Sequence, residues 1–175
     1  MRTLENNLPV YSDAQAEVVY RASIKNKIGH SFRASHSVHK FQYLGQDLVW
    51  KQAREFALPV NLCYALQDLG FLASRDLFAS GNSQLQKEAE KLAHLRAWGW
   101  DLAPRPWHYD HKRTAVVKSY VVGTTYREMG LNEQRAAIPW ALDLVQKIHS
   151  TGIAIGDAHV KNLIRRTSDR KYLWL

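Results

Sequence analysis

Cysteine is almost missing from this 175-residue chain. Cys63 stands alone, which excludes an internal disulfide framework and a cysteine-rich zinc site. Long hydrophobic runs are missing as well. No uninterrupted apolar stretch approaches the ~20 residues that a membrane span requires. The opening Met1-Arg2-Thr3-Leu4-Glu5-Asn6-Asn7 lacks the apolar core of a signal peptide. Together these absences place the chain, as an expectation, in a reducing cytoplasm. Internal repeats and low-complexity tracts are absent too, so a solenoid gets no support. The eight histidines form no His-x-x-x-His pair on a helix and carry no metal-site reading.

What is present is an ordinary folding composition, 46% hydrophobic and 23% charged, with a formal charge of +8. The length suits one domain or two small lobes sharing a cleft. The positive balance fits a nucleic acid, an anionic lipid surface or a phosphorylated substrate. The basic residues are nevertheless scattered, and the densest group, Arg165-Arg166 with Arg170-Lys171, is interrupted by Asp169. A solvated face explains that distribution as well as a partner-binding patch does.

Local patterns predict an α+β chain. Ser37–Tyr43 and Leu48–Lys51, separated by Leu44-Gly45-Gln46-Asp47, read as a β-hairpin. Leu62, Leu66 and Leu69 predict a helical face over 60–73, with Cys63 as a core residue. A clearer helix starts at Ser83, where Gln86 three residues on completes a capping box. Leu85, Ala89, Leu92 and Leu95 form its stripe, and Gly99 ends it. Residues 102–106 are expected to be extended around two prolines. Thr114–Val122 reads as a strand ended by Gly123. The helix over 132–152 is expected to bury Ile138, Ala141, Leu142, Val145 and Ile148, with Pro139 in its first turn or at a kink. Residues 162–164 and 171–175 read as two short strands around a polar turn.

One residue breaks the helical pattern. At about 100° per residue Glu88 falls inside the apolar stripe, whereas Glu90 faces away. A carboxylate turned inward costs several kcal/mol unless a cation or a hydrogen-bond donor meets it. Lys51, sharing a strand face with Val49, is the candidate partner. The plainer alternative is a glutamate that reaches water along the stripe's edge.

The stretch Gly152-Ile153-Ala154-Ile155-Gly156-Asp157-Ala158-His159-Val160-Lys161-Asn162-Leu163 places an Asp and an Asn five residues apart, between a helix and a strand. An aspartate so held can orient a hydroxyl proton, and the asparagine oxygen can bind magnesium on a nucleotide's phosphates. The segment resembles the catalytic loop of the protein-kinase-like superfamily. It is most similar to the branches with a Gly-Asp-x-His-x-x-Asn pattern: aminoglycoside and choline kinases, RIO-type kinases and lipopolysaccharide-core sugar kinases. Other segments resemble the same family in the same order. Leu48–Lys51 resembles the strand whose lysine grips the α- and β-phosphates. Residues 87–92 resemble the helix that supplies an ion-pair Glu, and Val116–Gly123 resembles the strand and hinge against which adenine bonds. The likeness covers about residues 27–175.

The resemblance implies a protein-kinase-like fold: an N-terminal extension over 1–26, and an antiparallel-sheet lobe over 27–118 with an insertion at 52–82. A hinge over 119–123 and the start of a helical lobe over 124–175 complete it. It implies ATP and Mg2+ as cofactors. Lys51, Glu88, Gly29, Ser119, Tyr120 and Val121 would bind nucleotide, Asn162 would bind metal, and Asp157 would be catalytic. The activity implied is ATP-dependent transfer of the γ-phosphate to a hydroxyl on an anionic glycolipid, a small alcohol or a protein. It carries no transmembrane span, and allows peripheral contact at the inner membrane face. His159 would order the loop by hydrogen bonding.

Three departures qualify the match. The phosphate-covering segment holds one glycine, Gly29, followed by His30-Ser31-Phe32. Ile155 stands where a polar residue usually precedes the Gly-Asp, which predicts a looser loop. The chain reaches Leu175 before any Asp-Phe-Gly-like segment, so the expected helical lobe is truncated and lacks the usual magnesium carboxylate. A non-catalytic kinase-like binding protein is therefore a second reading. A basic nucleic-acid-binding module is a weaker third, since no recognition motif accompanies the charge.

Overall fold

A computed structural model of the protein describes residues 12–32, 36–53, 81–153, 155 and 160–175. The expected helix over 60–73 with Cys63, most of the 52–82 insertion, Asp157 and His159 lie outside the described residues. The fold is α+β and divides into two compact units. Among the described residues, one comprises those from Ser12 to Glu90 together with Pro106–Ser119, and the other comprises Lys91–Arg105 with Tyr120–Leu175.

The first unit is a five-stranded antiparallel sheet in the order β1-β2-β3-β5-β4. Its strands are β1 (Lys27–Phe32), β2 (His36–Tyr43), β3 (Gln46–Ala53), β4 (Pro106–Asp110) and β5 (Ala115–Ser119). The expected hairpin is present as β2 and β3. Leu44 and Gly45 form its two-residue turn with φ of 49° and 72°, the left-handed pair whose twist matches a hairpin. The outer strands are irregular: the register of β1 shifts between Ile28 and Ser31, and β4 opens on Pro106.

Alternation sends the two faces of this sheet to different partners. Phe41, Leu48, Trp50, Ala115 and Val117 meet Val19 of α1 (Asp13–Lys25). Within the N-terminal extension expected over 1–26, α1 packs on the sheet. Its N-terminus carries a capping box of Ser12 and Gln15, a signal legible in the sequence. Arg113, in the β4–β5 turn, clips the helix down. Its guanidinium bonds Asp110 and Glu17 and lies 3.7 Å from the Tyr20 ring centroid. Asp110 is buried, and this cation satisfies it.

The opposite face, with Val116 and Tyr109, packs against Leu85 and Ala89 of α2 (Gly81–Ala97). The four stripe residues are all buried as expected. The helix starts two residues before Ser83, so Ser83 lies in its first turn and is not the cap.

In the second unit, α3 (Leu131–Ser150) carries Pro139 within it. The helix buries Ala137, Ala141, Leu144 and Ile148, whereas Ile138 and Leu142 are 45% and 66% exposed. The expected face was therefore rotated. The helix has apolar residues on more than one side, and periodicity alone could not choose between them. Its buried residues meet Leu95, Met129, Ile153, Leu163 and Trp174. Leu95 ties the last turns of α2 to this core.

A three-stranded sheet of β6 (Gly123–Thr125), β7 (Leu163–Arg166) and β8 (Tyr172–Trp174) completes the unit. The hairpin around 165–170 is as expected. The strand over 114–122 is shorter than expected, because β5 stops at Ser119. Gly123, expected to end that strand, opens β6 and pairs with Arg166. A Cβ on Gly123 would lie 2.3 Å from the Arg165 carbonyl oxygen, so only glycine permits this approach.

Candidate functional site

The antiparallel register places Lys51 opposite Val116 and Lys118 opposite Val49. Residues 49, 51, 116 and 118 therefore share the sheet face that α2 covers. Glu88, one turn along α2 from Leu85, points at this face. Lys51 Nζ donates to Glu88 Oε2 at 2.5 Å, and Lys118 Nζ donates to Oε1 at 2.8 Å. Each carboxylate oxygen thus has its own ammonium. Glu90, by contrast, accepts a bond from Gln86 on the exposed side of the helix.

Burial by itself would raise the Glu88 pKa. The charges of Lys118 and Lys51, with their hydrogen bonds, more than reverse that effect and hold it down to about 2. Glu88 is therefore ionised at any physiological pH. The side chains of Lys51 and Glu88 are 23% and 24% exposed, and at this partial burial the attraction between ammonium and carboxylate is stronger than in water.

Lys118 was missed as a site residue. In the sequence it looks like a lysine on the solvent side of a hinge strand, but it is 8% exposed. Its spacing of two from Val116, a core position, was the available signal. Gly29 lies within β1, in the stretch of shifted register. Ser119 ends β5, and the division between the units falls between Ser119 and Tyr120, with Val121 following.

In the other unit, the helix leading to the Gly-Asp segment is closed by Thr151, whose hydroxyl donates to the Ile148 carbonyl, and by Gly152 at φ 84°. Left-handed backbone at that position suits glycine and turns the chain out of the helix. His94 Nε2 lies 3.1 Å from the Thr151 carbonyl oxygen, which fastens α2 to this corner. Ile155 packs against the apolar core, while the loop it was expected to loosen lies outside the described residues. The Ile155 backbone N–H donates to His149 Nε2.

Asn162 ends a 3-10 turn (Val160–Asn162) directly before β7, and its carbonyl accepts the Leu175 N–H at 2.8 Å. Among the described residues no group of three or more His, Cys, Asp or Glu could hold a metal ion by itself. A neutral side-chain oxygen such as that of Asn162 fits magnesium already carried by phosphates, since this ion keeps phosphate oxygens and waters as ligands. Among the described residues no helix is long and apolar enough to cross a membrane.

No protein-family model and no curated protein matches the chain. A solved structure does. The fold is similar to that of the Rio2 kinase from Chaetomium thermophilum, crystallised as its ADP/Mg2+-phosphoaspartate complex. The TM-score is 0.60 at 14% identity, over 93% of this chain and 50% of that one. The chain thus spans half the length of that kinase. At this identity the likeness establishes the fold, which is protein-kinase-like.

Proposed function

We propose that the protein binds ATP with Mg2+ and transfers the γ-phosphate to a hydroxyl acceptor. The observation that carries this reading is the Lys51–Glu88 ion pair between strand β3 and helix α2 of a protein-kinase-like fold. Phosphoryl transfer needs little covalent chemistry from a protein. It needs positioning and neutralisation of charge on the phosphate oxygens. In this reading Lys51 donates to the α- and β-phosphates while Glu88 orients it, and the backbone near Gly29 lies along the phosphates. The backbone of Ser119, Tyr120 and Val121 bonds the base. Bound magnesium supplies charge neutralisation on the phosphates, and the Asn162 side chain is the residue that would hold it. Asp157 accepts the hydrogen bond of the attacking hydroxyl and so aims its oxygen at phosphorus.

The basic composition favours an anionic acceptor, such as a glycolipid headgroup met at a membrane surface from the cytoplasmic side. A small alcohol or a protein hydroxyl meets the same chemical requirement.

Titration of the protein with ATP and magnesium, followed by a phosphate-transfer assay over these three acceptor classes, tests the reading. Lys51→Met is expected to weaken nucleotide binding. Asp157→Ala is expected to keep binding and abolish transfer. Transfer that survives Asp157→Ala would overturn the assignment of that aspartate, and absence of nucleotide binding would overturn the whole reading.

A further inference from the structure

We infer that Lys118 is a positioning residue of the phosphate site, holding Glu88 charged and in place so that Lys51 can turn from Glu88 to an anion. The inference rests on the nucleotide-binding reading and extends it to a residue with no role there.

The two lysines differ in just the way this division of work requires. Lys118 is the anchored one: its side chain is 10% exposed, and its ammonium sits 2.8 Å from Glu88 Oε1. Lys51 is the more open one, at 23%, on the other carboxylate oxygen. If Glu88 had Lys51 alone, moving that ammonium to a phosphate would strip a half-buried carboxylate of its only cation, a strongly unfavourable step. With Lys118 in place Glu88 stays paired throughout. Register makes the sharing possible, because Val49 and Val116 hold the two lysine-bearing strands side by side with both ammonium groups on one face.

The test measures affinity of the full chain for ATP with magnesium and for adenosine, by calorimetric titration, in wild type, Lys118→Met, Lys118→Gln and Lys118→Arg. Methionine preserves the stem but removes the charge. Glutamine keeps a donor for Glu88 should the methionine variant fail to fold. The expected result is an affinity for ATP about tenfold lower in the two neutral variants, unchanged adenosine affinity, and recovery with arginine. Equal losses for ATP and adenosine would assign Lys118 a merely structural role and overturn the inference. Unchanged ATP affinity in the neutral variants would overturn it too, while leaving the nucleotide reading intact. A wild-type chain that binds neither ligand would overturn both.

Discussion

In the sheet unit, charged groups turn inward: Lys118 and Asp110 are buried, and Glu88 faces the lysines across the α2–sheet interface. In the helical unit the core is built from Leu95, Met129, Ala137, Leu144, Ile148, Ile153, Leu163 and Trp174. Its charges there pair at the rim, as Arg166 with Asp101 and Asp169, Arg165 with Glu133, and Lys147 with Asp143. Rim pairs of this kind contribute ~0–1 kcal/mol and fade with salt. Inward charges are costly to desolvate, and an apolar replacement would often be as stable. The contrast is one of placement: the sheet unit holds ion pairs inside its helix–sheet interfaces, whereas the helical unit holds them at its rim.

The contrast can be broken most forcefully at Trp50, which is 1% exposed beneath α1. Trp50→Ala should cost ~3–5 kcal/mol, read as a lowered midpoint in urea unfolding. A smaller loss would mean that α1 does not seal that face.

Acid should discriminate next. Glu88 titrates near 2 in the folded chain against an ordinary value of 4.5. The stability from this shift is fully present above about pH 4.5 and is lost as pH falls toward 2. Its size is about 2–3 kcal/mol, given the partial exposure of the group. Unfolding free energies measured from pH 7 to pH 2 should fall less steeply for Glu88→Gln than for wild type. Parallel curves would show that the carboxylate is not held by its lysines in solution.

Gly123→Ala tests the helical unit. The added methyl meets the Arg165 backbone, and a cost of ~1–3 kcal/mol is expected from the forced shift of β6. Smallest is Leu142→Gln, on the exposed side of α3, where the change should stay within about 0.5 kcal/mol in the same unfolding assay. A loss of core size at Leu142 would restore the helical face first expected from the sequence.

That last residue shows where sequence reasoning stopped. For α2 the single apolar stripe identified both the buried face and Glu88 as its exception. For α3 the sequence offers apolar residues around much of the helix, so the choice of face came from contacts with β7 and β8 that no local pattern encodes. Strand β4 went unread because Pro106 and the mixed Trp107-His108-Tyr109 hide a strand that exists through pairing with β5. Lys118 was hidden for the opposite reason. A lysine in a strand is ordinarily solvated, and only its two partners on the page of the sheet, Val49 and Glu88, give it another meaning. Asp157 lies outside the described residues, so its role rests on the Gly-Asp-x-His-x-x-Asn spacing alone.

The irregular outer strands bear on colloidal behaviour. A five-stranded sheet with straight, regular flanks would offer backbone donors and acceptors to neighbouring molecules. Here β1 is kinked between Ile28 and Ser31, and β4 opens on a residue with no N–H to donate. Both flanks thus resist strand-by-strand addition. Fibril growth by addition of strands to the native sheet is therefore disfavoured at both of its edges.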